Sequence, residues 1–184
     1  MTLTSKQKRL VSELGELSKL FSVNIESACE TKSSVWRTTY LETIKRQLVR
    51  GQIVHWYTFI DEMLACRIAR YFFGKSKPFP TLWRTKRFQR FNHYILDQQS
   101  LLQKLRLAHA IKPVPKPLVN DIERLNSLRN SMAHSFFPEN RRTANLSWKS
   151  HDMFSVVGAT AMQSDMQTIF DHFYAEVPHA HRLT

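Results

Sequence analysis

Glycine and long apolar runs are both scarce in this chain of 184 residues. Only 4 glycines are present, and the apolar residues recur at helical rather than alternating intervals, which favours an all-α fold over a sheet. No apolar run reaches membrane-spanning length, and no signal-peptide pattern opens the chain. With 42% hydrophobic residues, we expect a soluble, cytoplasmic, all-α protein of ordinary domain size that does not contact a membrane.

Cysteine is equally scarce, which argues against a disulfide scaffold and against a zinc site. Cys29 and Cys66 are the only cysteines, and they form no Cys-x-x-Cys pair. His179 and His181 form a His-x-His near the end of the chain, which we interpret as part of a frayed tail rather than a metal site. We therefore predict a reducing compartment, no bound metal and no cofactor.

Acidic residues are rare in one long stretch of the chain. Between Lys45 and Lys116 there are fifteen Lys and Arg against three acids, within a net charge of +12. Such a stretch attracts a polyanion, which favours nucleic acid as the partner, although basic helices can also be simple solvated faces. We predict RNA contact at the basic cluster, which comprises Arg84, Lys86, Arg87 and Arg90.

The apolar spacing predicts a series of amphipathic helices. The stretch 52–73 is apolar on most sides, which indicates a central buried helix ended by Gly74 and the prolines after it. A short extended piece is expected from Asn145 to Trp148. The other predicted helical stretches are 4–30, 35–50, 82–110 as one or two helices, 118–135 and 156–176.

A possible catalytic pair lies near the end of the helix predicted at 118–135. Arg129 and His134 are separated by four residues. An arginine grips phosphate oxygens with two N–H groups, and a histidine exchanges protons near neutral pH, so the pair suggests RNA cleavage.

The spacing of this pair is not unique. It recurs from Arg50 to His55 and, one residue longer, from Arg87 to His93. We interpret His55 as a core histidine because it adjoins Trp56 and the glycine before it marks a helix junction. We expect His93 to pack structurally or to contact RNA in general.

Helical geometry places Arg129 in the middle of an apolar stripe, which calls for a partner. The partner is either a structural ion pair, with Asp61 or Glu62, or a phosphate bound at an interface. The stripe comprises Leu118, Ile122, Leu125, Met132 and Ala133.

His134 lies about 140° further round the same helix, so one straight helix cannot direct both side chains at one phosphate. A two-fold dimer would resolve this, because it presents two copies of each residue around one cleft. Asn130 shares the face of His134 and is placed to orient the imidazole. The alternative role for His134 is a helix C-terminal cap.

The segment 122–135 resembles the signature of the HEPN superfamily, which is an Arg, a polar residue, three more positions and a His. The apolar helix up to Phe73 and the segment from Trp148 resemble other parts of that family. The resemblance implies an up-and-down helical bundle that dimerises and cleaves RNA without metal, leaving 2′,3′-cyclic phosphate and 5′-OH ends. Arg129 and His134 would carry the reaction, with Asn130 as the intervening polar residue. The implied domains are an N-terminal helical extension at 1–50, a HEPN-like domain at 51–178 and a tail at 179–184.

The resemblance also suggests a biological role. HEPN toxins paired with nucleotidyltransferase antitoxins carry a Tyr two residues after the His, whereas this chain has Phe136, which offers no hydroxyl to modify. We predict a stand-alone toxin or phage-defence endoribonuclease, with RNA and a second copy as partners and an antitoxin protein as a further candidate partner. The alternative is an inactive HEPN bundle that binds RNA or a partner protein. A basic DNA-binding protein ranks below both, since no helix-turn-helix pattern is present.

Overall fold

The computed structural model describes residue 29 and residues 34–74, 78–133 and 145–177. Most of these residues are helical, which confirms the predicted all-α class. The helix predicted at 4–30 and the tail at 179–184 lie outside the described residues. The predicted division into 1–50, 51–178 and 179–184 stays a prediction.

Six α-helices and one small hairpin form the described structure. In chain order they are α1 Ser34–Phe73, α2 Phe79–Trp83, α3 Lys86–Phe91, α4 Leu101–Ile111, α5 Lys116–Ala133, β1 Ser147–Trp148, β2 His151–Asp152 and α6 Val156–Tyr174. A π-helical segment, Asn92–Leu96, follows α3 directly. The two strands pair antiparallel.

The helix α1 is continuous, so the predicted break between 35–50 and 52–73 is wrong. Gly51 lies within the helix, where a glycine costs only about 1 kcal/mol relative to alanine. The apolar spacing runs past it, since Val49, Ile53 and Trp56 are all buried. The predicted end at Phe73 is confirmed, because Gly74 has a φ of +76°, a left-handed conformation that ends a helix.

The region from 82 to 110 contains more breaks than predicted, and its elements begin earlier. Thr85 separates α2 from α3, since its hydroxyl accepts the backbone N–H of Phe88 at 3.3 Å. Ser100 begins α4 through a capping box with Gln103. These side-chain hydrogen bonds satisfy backbone N–H groups that have no partner at the start of a helix. Thr85 and Ser100 therefore divide the stretch 82–110 into separate helices.

Four helices share the main hydrophobic core: α1, α4, α5 and α6. A separate satellite cluster lies around the end of α1, where Ala69, Leu82 and Phe88 are buried. The rings that pack against this satellite cluster are Phe73, Phe79 and Phe91. The fully buried residues of the main core include Ile53, Ile60, Leu64, Ile68, Leu101, Ile122, Leu125, Met162, Met166 and Ile169.

The hairpin confirms the extended piece predicted near Trp148 and packs on α6. Trp148 is fully buried, and its indole N–H donates to Asp165 Oδ2 at 2.6 Å. Gly158 lets α6 approach the backbone of β2 closely, because a Cβ at this position would overlap the carbonyl oxygen of Asp152. The helix α6 follows as predicted, capped by Ser155.

By its internal contacts the chain divides into two units, Met1–Lys45 and Arg46–Thr184. In the first unit, Lys45 Nζ lies 2.9 Å from Glu42 Oε1 within α1. The second unit contains both hydrophobic clusters. Among the residues that the structure describes, no helix is long and apolar enough to cross a bilayer.

Candidate nucleic-acid interface

Arg129 lies in the last two turns of α5 and is exposed to solvent. Its guanidinium carbon lies 5.2 Å from the centre of the Tyr57 ring on α1. Its Nη1 donates to the side-chain oxygen of the neighbouring Asn130 at 3.3 Å. Asn130 is exposed as well, so the two polar residues of the predicted motif lie side by side at the surface.

The prediction that Arg129 lies in the middle of the apolar stripe is wrong. Leu118, Ile122 and Leu125 are buried as expected, but the buried face then continues through Leu128 rather than Arg129. A step of three residues from Leu125 directs the side chain about 100° away from the direction that a step of four would give. Arg129 therefore lies at the edge of the packed face, where a guanidinium does not have to be neutralised.

The structural ion pair considered for Arg129 is absent. Asp61 is engaged elsewhere, since its Oδ2 lies 2.6 Å from Lys104 Nζ. Neither Asp61 nor Glu62 forms an ion pair with Arg129, and across 34–74, 78–133 and 145–177 no carboxylate lies within 4.0 Å of its guanidinium. The polar contacts of Arg129 thus leave its positive charge uncompensated.

His134 is the first residue after the described part of α5, which ends at Ala133. It lies outside the described residues, as does Phe136. Their predicted roles therefore stay predictions. The structure does place Arg129 four residues before the end of the described helix.

The four members of the basic cluster are all exposed. They lie on α3 and in the turn before it. Arg87 also contacts an aromatic ring, because its guanidinium carbon lies 5.2 Å from the centre of the Phe73 ring. A guanidinium held over a ring retains N–H groups at its edge that can bind a phosphate.

Of the other two Arg–His matches, His55 differs from its expectation. His55 is exposed and is not a core histidine, because successive helical residues point about 100° apart and Trp56 takes the buried position. Its ring stacks at 6.4 Å on Phe59 at the helix surface. His93 is exposed in the π-helical segment, where it contacts Tyr94 with ring centres 4.7 Å apart.

A buried charge cluster lies near the satellite cluster, and the sequence patterns did not reveal it. Arg67 on α1 is buried and binds both carboxylate oxygens of Glu176, at 2.8 and 2.6 Å. Although burial opposes ionisation, hydrogen bonds from Arg67 and Lys112 lower the pKa of Glu176. Burial and the charge of Arg67 lower the pKa of His172 beside them. The position of Arg67 within an apolar stretch was the feature of the sequence that could have predicted this cluster.

These residues line a cavity of about 640 Å³ together with Cys66 and Tyr71. Burial, with a contribution from Glu62, raises the pKa of the Cys66 thiol to about 12. Its thiolate is therefore suppressed at neutral pH, and this cysteine is unsuited to nucleophilic catalysis. Within the described ranges, no group of three or more His, Cys, Asp and Glu side chains is arranged to hold a metal ion.

An aromatic and basic surface around the satellite cluster also went unpredicted. Tyr71, Phe72 and Trp83 expose 65%, 50% and 46% of their surfaces, although the first two belong to the stretch predicted to be buried. The surrounding sequence 63–96 contains eight Lys and Arg and no acid. The apolar spacing of α1 did not predict the exposed rings. It shows which residues are apolar, but it does not show where a neighbouring helix ends and leaves the last turn of α1 uncovered.

No protein-family model matches this chain, and comparisons with curated proteins and with solved structures gave no match.

Proposed function

We propose that this chain is a metal-independent endoribonuclease of toxin–antitoxin or phage-defence type, acting in the cytoplasm as a HEPN-like dimer. The observation that carries the proposal is that Arg129 is exposed and has no carboxylate partner among the described residues. It lies five residues before His134. A phosphodiester would supply the missing negative charge.

The surroundings of Arg129 support phosphate binding. The ring of Tyr57 lies beneath the guanidinium at 5.2 Å and restricts its movement. One nitrogen is engaged with Asn130, and an arginine has five N–H groups in all, so several remain for phosphate oxygens. Arg129 is therefore positioned by neutral contacts, which do not compete with an anion.

In the proposed reaction, His134 of one protomer accepts the proton of the ribose 2′-OH. The 2′ oxygen then forms a bond to the adjacent phosphorus, and the bond from phosphorus to the 5′ oxygen breaks. The second His134 donates a proton to the departing 5′ oxygen, while Arg129 stabilises the charge on the phosphoryl oxygens. The products are a 2′,3′-cyclic phosphate and a 5′-OH, and no metal is consumed or required.

The basic cluster supports RNA as the substrate. Its four side chains are exposed, and the net charge of +12 favours encounter with a polyanion. If an antitoxin exists, it acts by a route other than nucleotide transfer to the position of Phe136, which lacks a hydroxyl.

The test incubates the purified protein with mixed RNA in excess chelator and then examines the fragment ends. We expect cyclic phosphate ends with the wild type and none with His134→Ala. Equal cleavage by both proteins would assign the activity to a contaminant and refute the proposal. RNA binding without any cleavage would favour the alternative, an inactive HEPN-like bundle that binds RNA or a partner protein.

A further inference from the structure

Three aromatic rings project from the satellite cluster into solvent: Tyr71, Phe72 and Trp83, which we call the aromatic surface. Each is in ring contact with a neighbour. The centres of Tyr71 and Phe72 lie 5.1 Å apart, and those of Phe72 and Phe91 lie 5.4 Å apart. Trp83 contacts Phe79 at 5.8 Å. Phe72 and Trp83 therefore rest on the half-buried rings of Phe91 and Phe79, and Tyr71 packs against Phe72, which limits the motion of all three.

Cations lie beside these supporting rings. The guanidinium carbon of Arg70 lies 4.7 Å from the Phe79 ring centre, next to Trp83. That of Arg87 lies 5.2 Å from Phe73, whose ring also contacts Phe91 at 5.2 Å. The sequence 63–96 contains no acid. Arg67 within it is paired with Glu176, whereas all four members of the basic cluster are exposed.

We propose that the aromatic surface and the basic cluster together bind single-stranded RNA, with unpaired bases stacked on Trp83 and on Tyr71 and Phe72. The inference rests on the proposed function only in taking RNA as the substrate. Single strands are favoured because a duplex hides the faces of its bases, whereas an unpaired base can stack on an exposed ring. The cations would follow the phosphates between successive stacked bases.

The experiment measures binding separately from cleavage by using His134→Ala protein. The probe is a fluorescein-labelled oligouridine of about twelve nucleotides, with the same strand in an RNA duplex for comparison. We expect the single strand to bind more tightly than the duplex. It should also quench tryptophan fluorescence, and Trp83→Phe should remove most of that quenching.

Ring and charge variants separate stacking from phosphate contact. We expect Trp83→Ala to weaken binding about tenfold without changing its salt dependence, while Trp83→Phe retains most of the affinity. Arg87→Gln should instead reduce the slope of log affinity against log salt by roughly 0.7, the value for one phosphate contact to a single strand. Val156→Ala, at an exposed apolar residue on α6, is the matched control and should change neither quantity.

Two outcomes would overturn the inference. One is equal affinity for the duplex and the single strand, and the other is unchanged binding in both Trp83→Ala and Tyr71→Ala. Failure of the nuclease proposal looks different, because the wild type would then bind the oligonucleotide through the aromatic surface without producing cyclic phosphate ends.

Discussion

At the scale of single residues, a functional role for Arg129 and a structural one predict different contributions to the stability of the fold. An exposed side chain whose nearest described partners are Tyr57 and Asn130 contributes little to folding. A structural arginine in the middle of the apolar stripe would contribute several times more, because removing one partner of a buried charge pair costs about 3–5 kcal/mol. The two roles therefore differ in the free energy of unfolding that is lost when Arg129 is replaced, which can be measured without any substrate.

We expect Arg129→Ala to change the free energy of unfolding by less than about 0.5 kcal/mol and to reduce RNA cleavage by roughly 10²- to 10³-fold, as loss of a charge-stabilising donor does. Arg129→Lys should also be strongly impaired, because an ammonium cannot form two parallel hydrogen bonds to a phosphate. Chemical denaturation and a cleavage assay measure the two effects. Arg106→Ala, at an exposed arginine on α4, is the control. A large loss of stability in Arg129→Ala would contradict the assignment.

The buried cluster around Arg67 gives a pH-dependent prediction. In the folded state the pKa of His172 lies below its ordinary value of 6.5, so at pH values between the two the unfolded chain binds more protons. Stability from this residue therefore rises with pH through that window and is complete above about 6.5. His172→Asn should flatten this rise when urea denaturation is compared at about pH 5 and about pH 7. An unchanged pH dependence in the variant would show that other groups are responsible.

At the scale of elements, the sequence predicts where apolar faces lie better than where helices break. The end of α1 at Gly74 and the extent of α6 were predictable, since a terminating glycine and a serine cap mark them. Gly51 was misread as a junction because a glycine within a helix and a glycine after one look alike in sequence. The structure distinguishes the two cases, because Val49 before Gly51 and Ile53 and Trp56 after it pack into the same core.

The candidate site was predictable to a similar degree. The sequence selected Arg129, Asn130 and the basic cluster as candidate site residues, and all of them are exposed, although Arg129 had been predicted to lie within an apolar stripe. It could not show that the buried face of α5 passes through Leu128, because that depends on the helices against which α5 packs. Tyr57 was missed for the same reason, since its contact with Arg129 joins positions 72 residues apart in the sequence.

Two glycines test the continuity of α1 with the same substitution. Gly51 lies inside the helix with no atom within 4 Å of an added Cβ, so Gly51→Ala should stabilise the protein by about 0.5–1 kcal/mol. Gly74 has a φ of +76°, so Gly74→Ala should destabilise it by about 1 kcal/mol. Thermal unfolding of both variants provides the comparison. Destabilisation by Gly51→Ala would indicate a break at the predicted junction.

At the scale of the whole molecule, the basic residues are distributed unevenly. The basic cluster lies beside the satellite cluster, within the stretch 63–96 that contains no acid. Acids elsewhere are largely engaged, as shown by Asp165, which binds both Trp148 and Lys149. A polyanion approaching this surface therefore meets few competing carboxylates, which favours steering of RNA to one region of the molecule.

The proposed composite site would make cleavage depend on the assembly of two chains. His134 follows Arg129 by five residues, about 140° round a continuous helix, so the proposal needs the second copy to complete the site. Below the dissociation constant of the dimer, the dimer concentration rises with the square of the protein concentration, and the initial cleavage rate should follow that square. Above it the rate should become linear, at the protein concentration where sedimentation shows the mass doubling. A first-power dependence through the whole range, with a monomeric mass, would place both residues of the site on one chain and require α5 to distort beyond Ala133.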